Sequence, residues 1–256
     1  MARLEIELVP CLRDNYAYLV RDADEDFCAI VDPSEAAPVR DALERRGWRL
    51  THILNTHHHP DHTGGNAALK REYGAEVVGP EKDRARIPAL DRGVEEGSPF
   101  ALGSHAGRVL EIPAHTSGHI AFAFEADDAV FTGDTLFAMG CGRLFEGTPG
   151  TMAHSLAKLM TLPDSMRVYC GHEYTLNNGR FALMLEPGNA ELQTRMREVE
   201  ELRAAGRPTI PSSIGIEKRT NPFLRPHSAE IRRTLNMPGA GDVDVFAEMR
   251  ARKDNF

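Results

Sequence analysis

Thr56-His57-His58-His59-Pro60-Asp61-His62 sets four histidines and a carboxylate within seven residues, a density of metal-ligating groups that folding alone does not require. It reads as H-x-H-x-D-H, half of a two-metal site. The preceding residues 50–55 are apolar and β-branched enough for a buried strand, and residues 63–70 open a helix, so the motif lies on a strand-to-helix turn. In extended backbone, side chains at i, i+2 and i+4 share one side. His57, His59 and Asp61 are therefore expected to converge while His58 turns away, and His62, at the helix entry, serves a second metal. A lone histidine is more often an ordinary hydrogen-bonded residue than a ligand. Three imidazoles beside a carboxylate instead form a nitrogen and oxygen site suited to zinc or a neighbouring transition metal.

One turn cannot supply every ligand of a dinuclear site, and the rest of the chain offers three more. His115 follows the strand-like residues 108–114, Asp134 ends residues 129–134, and His172 ends residues 167–172. Each is a polar group at the carboxyl end of an apolar run, where loops gather functional groups on a rigid sheet. Asp134 is the natural bridge, because a carboxylate can share its oxygens between two cations and an imidazole cannot.

This pattern, H-x-H-x-D-H followed by separated His, Asp and His, resembles the metallo-β-lactamase superfamily. Residues 10–20, 29–33, 133–137, Gly140-Cys141-Gly142-Arg143 with 144–147, Gly171-His172-Glu173-Tyr174-Thr175 and Arg250-Ala251-Arg252-Lys253-Asp254 resemble, more narrowly, the glyoxalase II or hydroxyacylglutathione hydrolase family. The match runs from about residue 8 to the last residues. The metal motif speaks only for the superfamily, and the last three segments carry the narrower likeness.

The resemblance implies an α/β fold, an αββα sandwich over residues 1–173 with a helical substrate-binding subdomain over 174–256. It assigns one metal to His57, His59 and His115 and the other to Asp61, His62 and His172, with Asp134 bridging. The two divalent ions would be zinc, with iron or manganese as alternatives. Two metals about 3.5–4 Å apart share a hydroxide and polarise the carbonyl it attacks, with Asp61 holding the hydroxide in line. A thiol leaving group of pKa near ~8.5 then departs without a dedicated acid. Asp32 orients a ligand imidazole or caps the helix around residues 38–46.

Substrate contacts fall, by the same likeness, to Arg143, Phe145, Tyr174, Arg250 and Lys253. Some members carry Lys and Tyr where this chain has Arg143 and Phe145. Arginine keeps the charge, and the lost phenolic hydrogen bond is worth about 0.5–1.5 kcal/mol. Apart from the likeness, Arg250 and Lys253 read as the solvated last turn of a helix over 242–255, complementing its dipole. The implied activity is hydrolysis of S-(2-hydroxyacyl)glutathione thioesters, chiefly S-D-lactoylglutathione, to glutathione and D-lactate, as in methylglyoxal detoxification. The alternatives are a glutathione persulfide dioxygenase with a single iron, which typically lacks the basic helical extension, and a non-catalytic metal-binding protein.

Composition agrees with a compact enzyme, since 256 residues at 41% hydrophobic can bury a full core. No Gly-x-Ser-x-Gly elbow suggests a serine hydrolase. Cys11, Cys28, Cys141 and Cys170 show no Cys-x-x-Cys pairing and no disulfide framework, and Cys28 and Cys170 read as buried, inert thiols. With no apolar run near ~18 residues and no signal core at the amino end, a cytoplasmic enzyme without a membrane partner is expected. A net charge of −8 and no basic stripe argue against nucleic acid, and a monomer or weak oligomer is expected.

Strand-like runs recur at 4–9, 16–20, 27–31, 53–55, 76–78, 109–112, 120–124, 129–132 and 168–170, with helices near 39–46, 66–73 and 152–161. After Tyr174 the pattern turns helical: Leu192, Met196, Val199 and Leu202 form one apolar stripe, and Ser228 caps a short helix. His119 lies beside His115 but outside the ligand set, so its removal is expected to leave metal content near wild type.

Overall fold

Strand β1 (Glu5–Cys11) pairs antiparallel with β2 (Asn15–Asp22), which pairs antiparallel with β3 (Phe27–Val31), in a computed structural model that describes residues 3–256. Helix α1 (Ala36–Arg46) returns the chain so that β4 (His52–Leu54) lies parallel to β3, with Val31 opposite Leu54. The short α2 (Pro60–Thr63) and α3 (Asn66–Tyr73) then lead to β5 (Glu76–Pro80), again parallel, and β6 (Arg92–Val94) completes a six-stranded sheet in sequence order. Parallel neighbours need such crossovers, and they leave the connecting loops at the carboxyl ends of the strands.

The alternation along β2 decides what each face meets. Ala17 and Leu19, with Cys28, Ile30, Ile53 and Val77, pack against Val39 and Leu43 of α1 and Leu69 of α3. Tyr18, one residue out of phase, points to the other face, where its ring lies 5.7 Å from Phe131. Phe131 belongs to an antiparallel set, β7 (Phe100–Leu102), β8 (His105–Glu111), β9 (Ile120–Phe124) and β10 (Ala129–Gly133). Phe122, Phe124 and Phe131 of this set are fully buried. Burying one such side chain contributes about 1.5–3 kcal/mol, so two sheets with helices on the outer face of the first are held by apolar area. These elements make up one compact unit, the residues up to Glu111 with Thr116–Gly133.

The second unit comprises Ile112–His115 and Asp134–Phe256. It holds the hairpin β11 (Leu136–Phe137) and β12 (Gly140–Cys141), helix α4 (Pro149–Leu159), β13 (Arg167–Cys170) paired with β14 (Ser212–Ser213), and helices α5 (Thr175–Leu185), α6 (Ala190–Ala204), α7 (Ile214–Thr220), α8 (Ala229–Thr234) and α9 (Asp242–Asp254). Thr148, Asn189 and Ser228 cap α4, α6 and α8. Leu192, Met196 and Val199 of α6 pack with Ala182 and Met139, while Leu202 is only half-buried.

The unit boundaries thus fall at 111/112, 115/116 and 133/134, whereas the sequence reading breaks the chain once, at 173/174. Within the second unit the physical reason is a polar hub. The fully buried carboxylate of Glu217 accepts from Met139 N at 2.8 Å, from Arg195 and Ser212 at 2.5 Å each, and from Asn221 at 3.0 Å, tying the β11–β12 hairpin to the later helices. All four cysteines are free and buried; burial pushes the Cys11 and Cys141 thiols up to about 11 and that of Cys28 up to about 12. Among the described residues no helix is long and apolar enough to cross a membrane.

Candidate metal centre

The parallel register of β3 and β4 carries Asp32 and Thr56 to neighbouring positions just beyond the strand ends. Asp32 N donates to Leu54 O at 2.9 Å, and the Asp32 carboxylate accepts from Thr56 N at 2.8 Å and Thr56 Oγ1 at 2.7 Å. Its Oδ2 also lies 3.1 Å from His62 Nδ1, while Thr56 Oγ1 lies 3.0 Å from His57 Nδ1. One buried carboxylate therefore orients two imidazoles, His62 directly and His57 through Thr56, each giving its Nδ1 proton to oxygen and keeping the Nε2 lone pair for a metal. Of the two readings of Asp32, the structure favours imidazole orientation: α1 begins at Ala36 after Glu35, and no side chain caps it.

His57 Nε2 and His59 Nδ1 stand 3.1 Å apart. Two nitrogens bound tetrahedrally to one zinc at about 2.0–2.1 Å would be roughly 3.3 Å apart, so this pair fits a single metal. His58 does turn away, to the fully buried carboxylate of Asp83 at 3.0 Å. The backbone argument for Asp61 needs correction. His59 is the last extended residue, and Pro60 at the first helical position puts Asp61 and His62 together in the first turn of α2. Asp61 is held there by Asn15, whose amide donates to Asp61 O at 3.0 Å and Oδ2 at 3.1 Å.

The second unit contributes its own set. Asp134 Oδ2 lies 3.4 Å from His115 Nε2 and 3.3 Å from His172 Nε2, so two imidazoles flank one carboxylate oxygen, the arrangement a bridging ligand requires. His115 Nδ1 donates to Arg143 O at 3.0 Å, again leaving Nε2 for a metal. Gly142 permits this approach, since a Cβ there would lie 1.9 Å from Asp134 O and 3.0 Å from His115 Nδ1. The donor chemistry of both sets, imidazoles of which His57, His62 and His115 are held by oxygen partners and three carboxylates counting Asp32, suits divalent metals.

Of the expected substrate contacts, Tyr174 and Phe145 stand against this second set. The ring of Tyr174 stacks on His172 at 4.7 Å, and the Phe145 ring, 62% exposed, is 5.2 Å from His115. Arg250, in contrast to a solvated helix end, is buried; it donates to Cys141 O at 2.8 Å and lies over the Phe223 ring. Lys253 donates to Asn177 O at 3.2 Å and lies over Phe181 and Phe256. Its ammonium titrates down at about 8, because of burial first and then repulsion from Arg250 and Arg143.

Sequence reasoning missed several supporting residues. Asn15 and Asp83 carry no motif that announces a partner. His119, read as a bystander, is fully buried and stacks on the His57 ring at 4.5 Å, with its Nδ1 donating to Ile120 O at 3.1 Å. His119→Ala is accordingly expected to weaken metal binding about tenfold, within the range for groups behind a ligand, as read by chelator competition. An unchanged competition curve would return His119 to the bystander reading.

Comparison with known proteins narrows the chemistry. The family described as metallo-beta-lactamase superfamily matches residues 12–172, and the one described as hydroxyacylglutathione hydrolase C-terminus matches residues 173–256. A protein of Methylococcus capsulatus (strain ATCC 33009 / NCIMB 11132 / Bath) named hydroxyacylglutathione hydrolase is 54% identical over 253 residues, covering 99% of both chains. Among solved structures, ETHE1 from Myxococcus xanthus is similar with a TM-score of 0.66 at 26% identity, over 97% of this chain and 98% of that one. TTHA1623 in a di-iron-bound form gives 0.61 at 27%, over 84% and 98%. Full-length identity of this order, together with the matched carboxyl-terminal segment, means that the chain belongs to the hydroxyacylglutathione hydrolase family, within the metallo-β-lactamase superfamily.

Proposed function

We propose that the protein hydrolyses S-(2-hydroxyacyl)glutathione thioesters, chiefly S-D-lactoylglutathione, to glutathione and D-lactate. The observation that carries this reading is the Asp134 oxygen flanked by two imidazole Nε2 atoms, in a chain whose carboxyl-terminal third matches the hydroxyacylglutathione hydrolase segment. In this reading His57, His59 and His115 hold one divalent metal, Asp61, His62 and His172 the other, and Asp134 bridges them; zinc is the first choice, iron or manganese the alternatives. Two such metals supply a Lewis acid and an activated water at neutral pH.

The chain's own residues do the rest. Asp32 and Thr56 fix the His57 and His62 rings, Asn15 holds the Asp61 carboxylate, and Arg143 O fixes His115. Residues 1–173 act as the catalytic domain and 174–256 as the substrate-binding one. Arg143, Arg250 and Lys253 meet the substrate's carboxylates, with Tyr174 and Phe145 against its peptide. The matched carboxyl-terminal segment favours the hydrolase over a persulfide dioxygenase or a metal store. A cytoplasmic site of action follows from this reading, since glutathione is the cytosolic thiol buffer.

The test is loss of the thioester ultraviolet absorbance of S-D-lactoylglutathione with metal-loaded protein and with a chelated sample. Chelator-sensitive loss supports the reading; no loss in protein holding two metals per chain rejects it. A pH dependence follows as well. With Lys253 titrating at about 8, its charge is present below that pH and lost above it. KM for the glutathione thioester should therefore rise about fivefold between pH 7 and 9.5, the loss of about 1 kcal/mol from one ion pair. Lys253→Met should start at the raised KM and lack that rise; parallel profiles would remove Lys253 from the contacts.

A further inference from the structure

Asp254 is the acid in the last turn of α9, where a carboxylate faces the negative end of the helix dipole, an unfavourable placement. Its surroundings explain it. Asp254 Oδ1 accepts from Arg250 Nε at 3.2 Å, and it lies 3.0 Å from Arg250 NH2 and 3.6 Å from Arg143 Nε. The remaining Arg250 nitrogen, NH1, is committed to Cys141 O at 2.8 Å. One carboxylate oxygen thus sits between the two guanidiniums that the proposed function assigns to a substrate carboxylate. The partners differ in freedom: the Arg250 side chain is 7% exposed and fixed, whereas those of Asp254 and Arg143 are 41% and 62% exposed and can swing outward.

We propose that Asp254 is a built-in stand-in for a substrate carboxylate: it occupies the Arg143–Arg250 pair in the free protein and must be displaced when a glutathione thioester binds. Asp254 thereby sets the affinity for carboxylate-bearing thioesters without touching the reacting atoms, acting through the two arginines. Displacement exchanges one ion pair for another, so the arginines are never left uncompensated, and the charge-matched geometry is kept ready for a carboxylate. A neutral acyl thioester gains nothing from the exchange. The inference rests on the hydrolase reading above.

The experiment compares wild type, Asp254→Asn, Asp254→Glu and Glu248→Gln, the last removing the same charge from the same helix away from Arg143. Each full-length, metal-loaded protein is assayed with S-D-lactoylglutathione and with the lactoyl thioester of N-acetylcysteamine, which has no carboxylate, and glutathione binding is measured by calorimetry. Asp254→Asn is expected to lower KM for the glutathione thioester and Kd for glutathione about two- to fivefold, the range of one exposed ion pair. Its kcat should stay at the wild-type value and its KM for the carboxylate-free thioester should not move. Asp254→Glu and Glu248→Gln should track wild type. A KM that is unchanged or raised in Asp254→Asn, or lowered equally for both thioesters, overturns the proposal. If wild type hydrolyses lactoylglutathione and Asp254→Asn matches it, this inference alone fails. If wild type neither hydrolyses the thioester nor binds glutathione, the proposed function fails and takes this inference with it.

Discussion

Asp134→Ala is expected to purify with little bound metal and to lose at least about 10³-fold in kcat/KM, because polarisation by the metals is worth several kcal/mol of the barrier. The reason lies in a single oxygen. Asp134 Oδ2 stands 3.4 Å from one imidazole and 3.3 Å from the other, so in the proposed assignment removing it takes an anionic ligand from both metal positions at once. In the proposed assignment, a substitution at His115 or His172 touches one position only. Metal analysis after dialysis and the thioester assay measure the two losses separately, and circular dichroism checks that the fold survives. Full activity with two metals per chain in Asp134→Ala would remove the bridging assignment.

Asp32→Ala should act nearly as strongly, though the residue is assigned to no metal. Its carboxylate takes Thr56 N, Thr56 Oγ1 and His62 Nδ1, and through Thr56 it fixes His57. Losing an oxygen partner behind a ligand commonly lowers metal affinity about 10–100-fold. Here the change also strands the buried Thr56 amide, at about 1–3 kcal/mol of stability even without metal. Asp32 adopts a φ of 49°, a conformation asparagine tolerates nearly as well as aspartate. Asp32→Asn should therefore spare stability more than metal affinity. Chelator competition and denaturation of metal-stripped protein separate the two effects, and wild-type affinity in Asp32→Ala would refute the role.

What could be read from the sequence follows from how local each signal is. Residues 27–31, 66–73 and 120–124 match β3, α3 and β9 to the residue, because an apolar run or a periodic stripe is bounded there by turn residues. Arg92–Val94 and Phe100–Leu102 were not legible as β6 and β7: three residues containing arginine and glycine or following a proline make no pattern until a neighbouring strand supplies hydrogen bonds. Helix α5 contains two asparagines and Gly179, poor helix formers, and it forms because Gly179 lets Met196 and Met139 approach where a Cβ would collide. The candidate ligand positions were legible because metal chemistry needs particular residue types at strand ends. Their supports were not: Asn15, Asp83 and His119 act through partners that are remote in sequence or, for His119, through a stacked ring, and neither leaves a spacing to read.

The burial of the thiols has a bearing on the redox life of such an enzyme. Its reaction releases a thiol, and wherever that thiol stands together with its disulfide, an accessible thiolate on the protein is drawn into exchange. A cysteine whose pKa stands at about 11, as for Cys11 and Cys141, is ionised about once in 10⁴ molecules at pH 7, and Cys28 less often still. Desolvation thus keeps Cys141, although it lies in the Gly140-Cys141-Gly142-Arg143 loop, from attacking the disulfide form of the product and releasing its thiol, so swings in the glutathione couple leave this cysteine reduced.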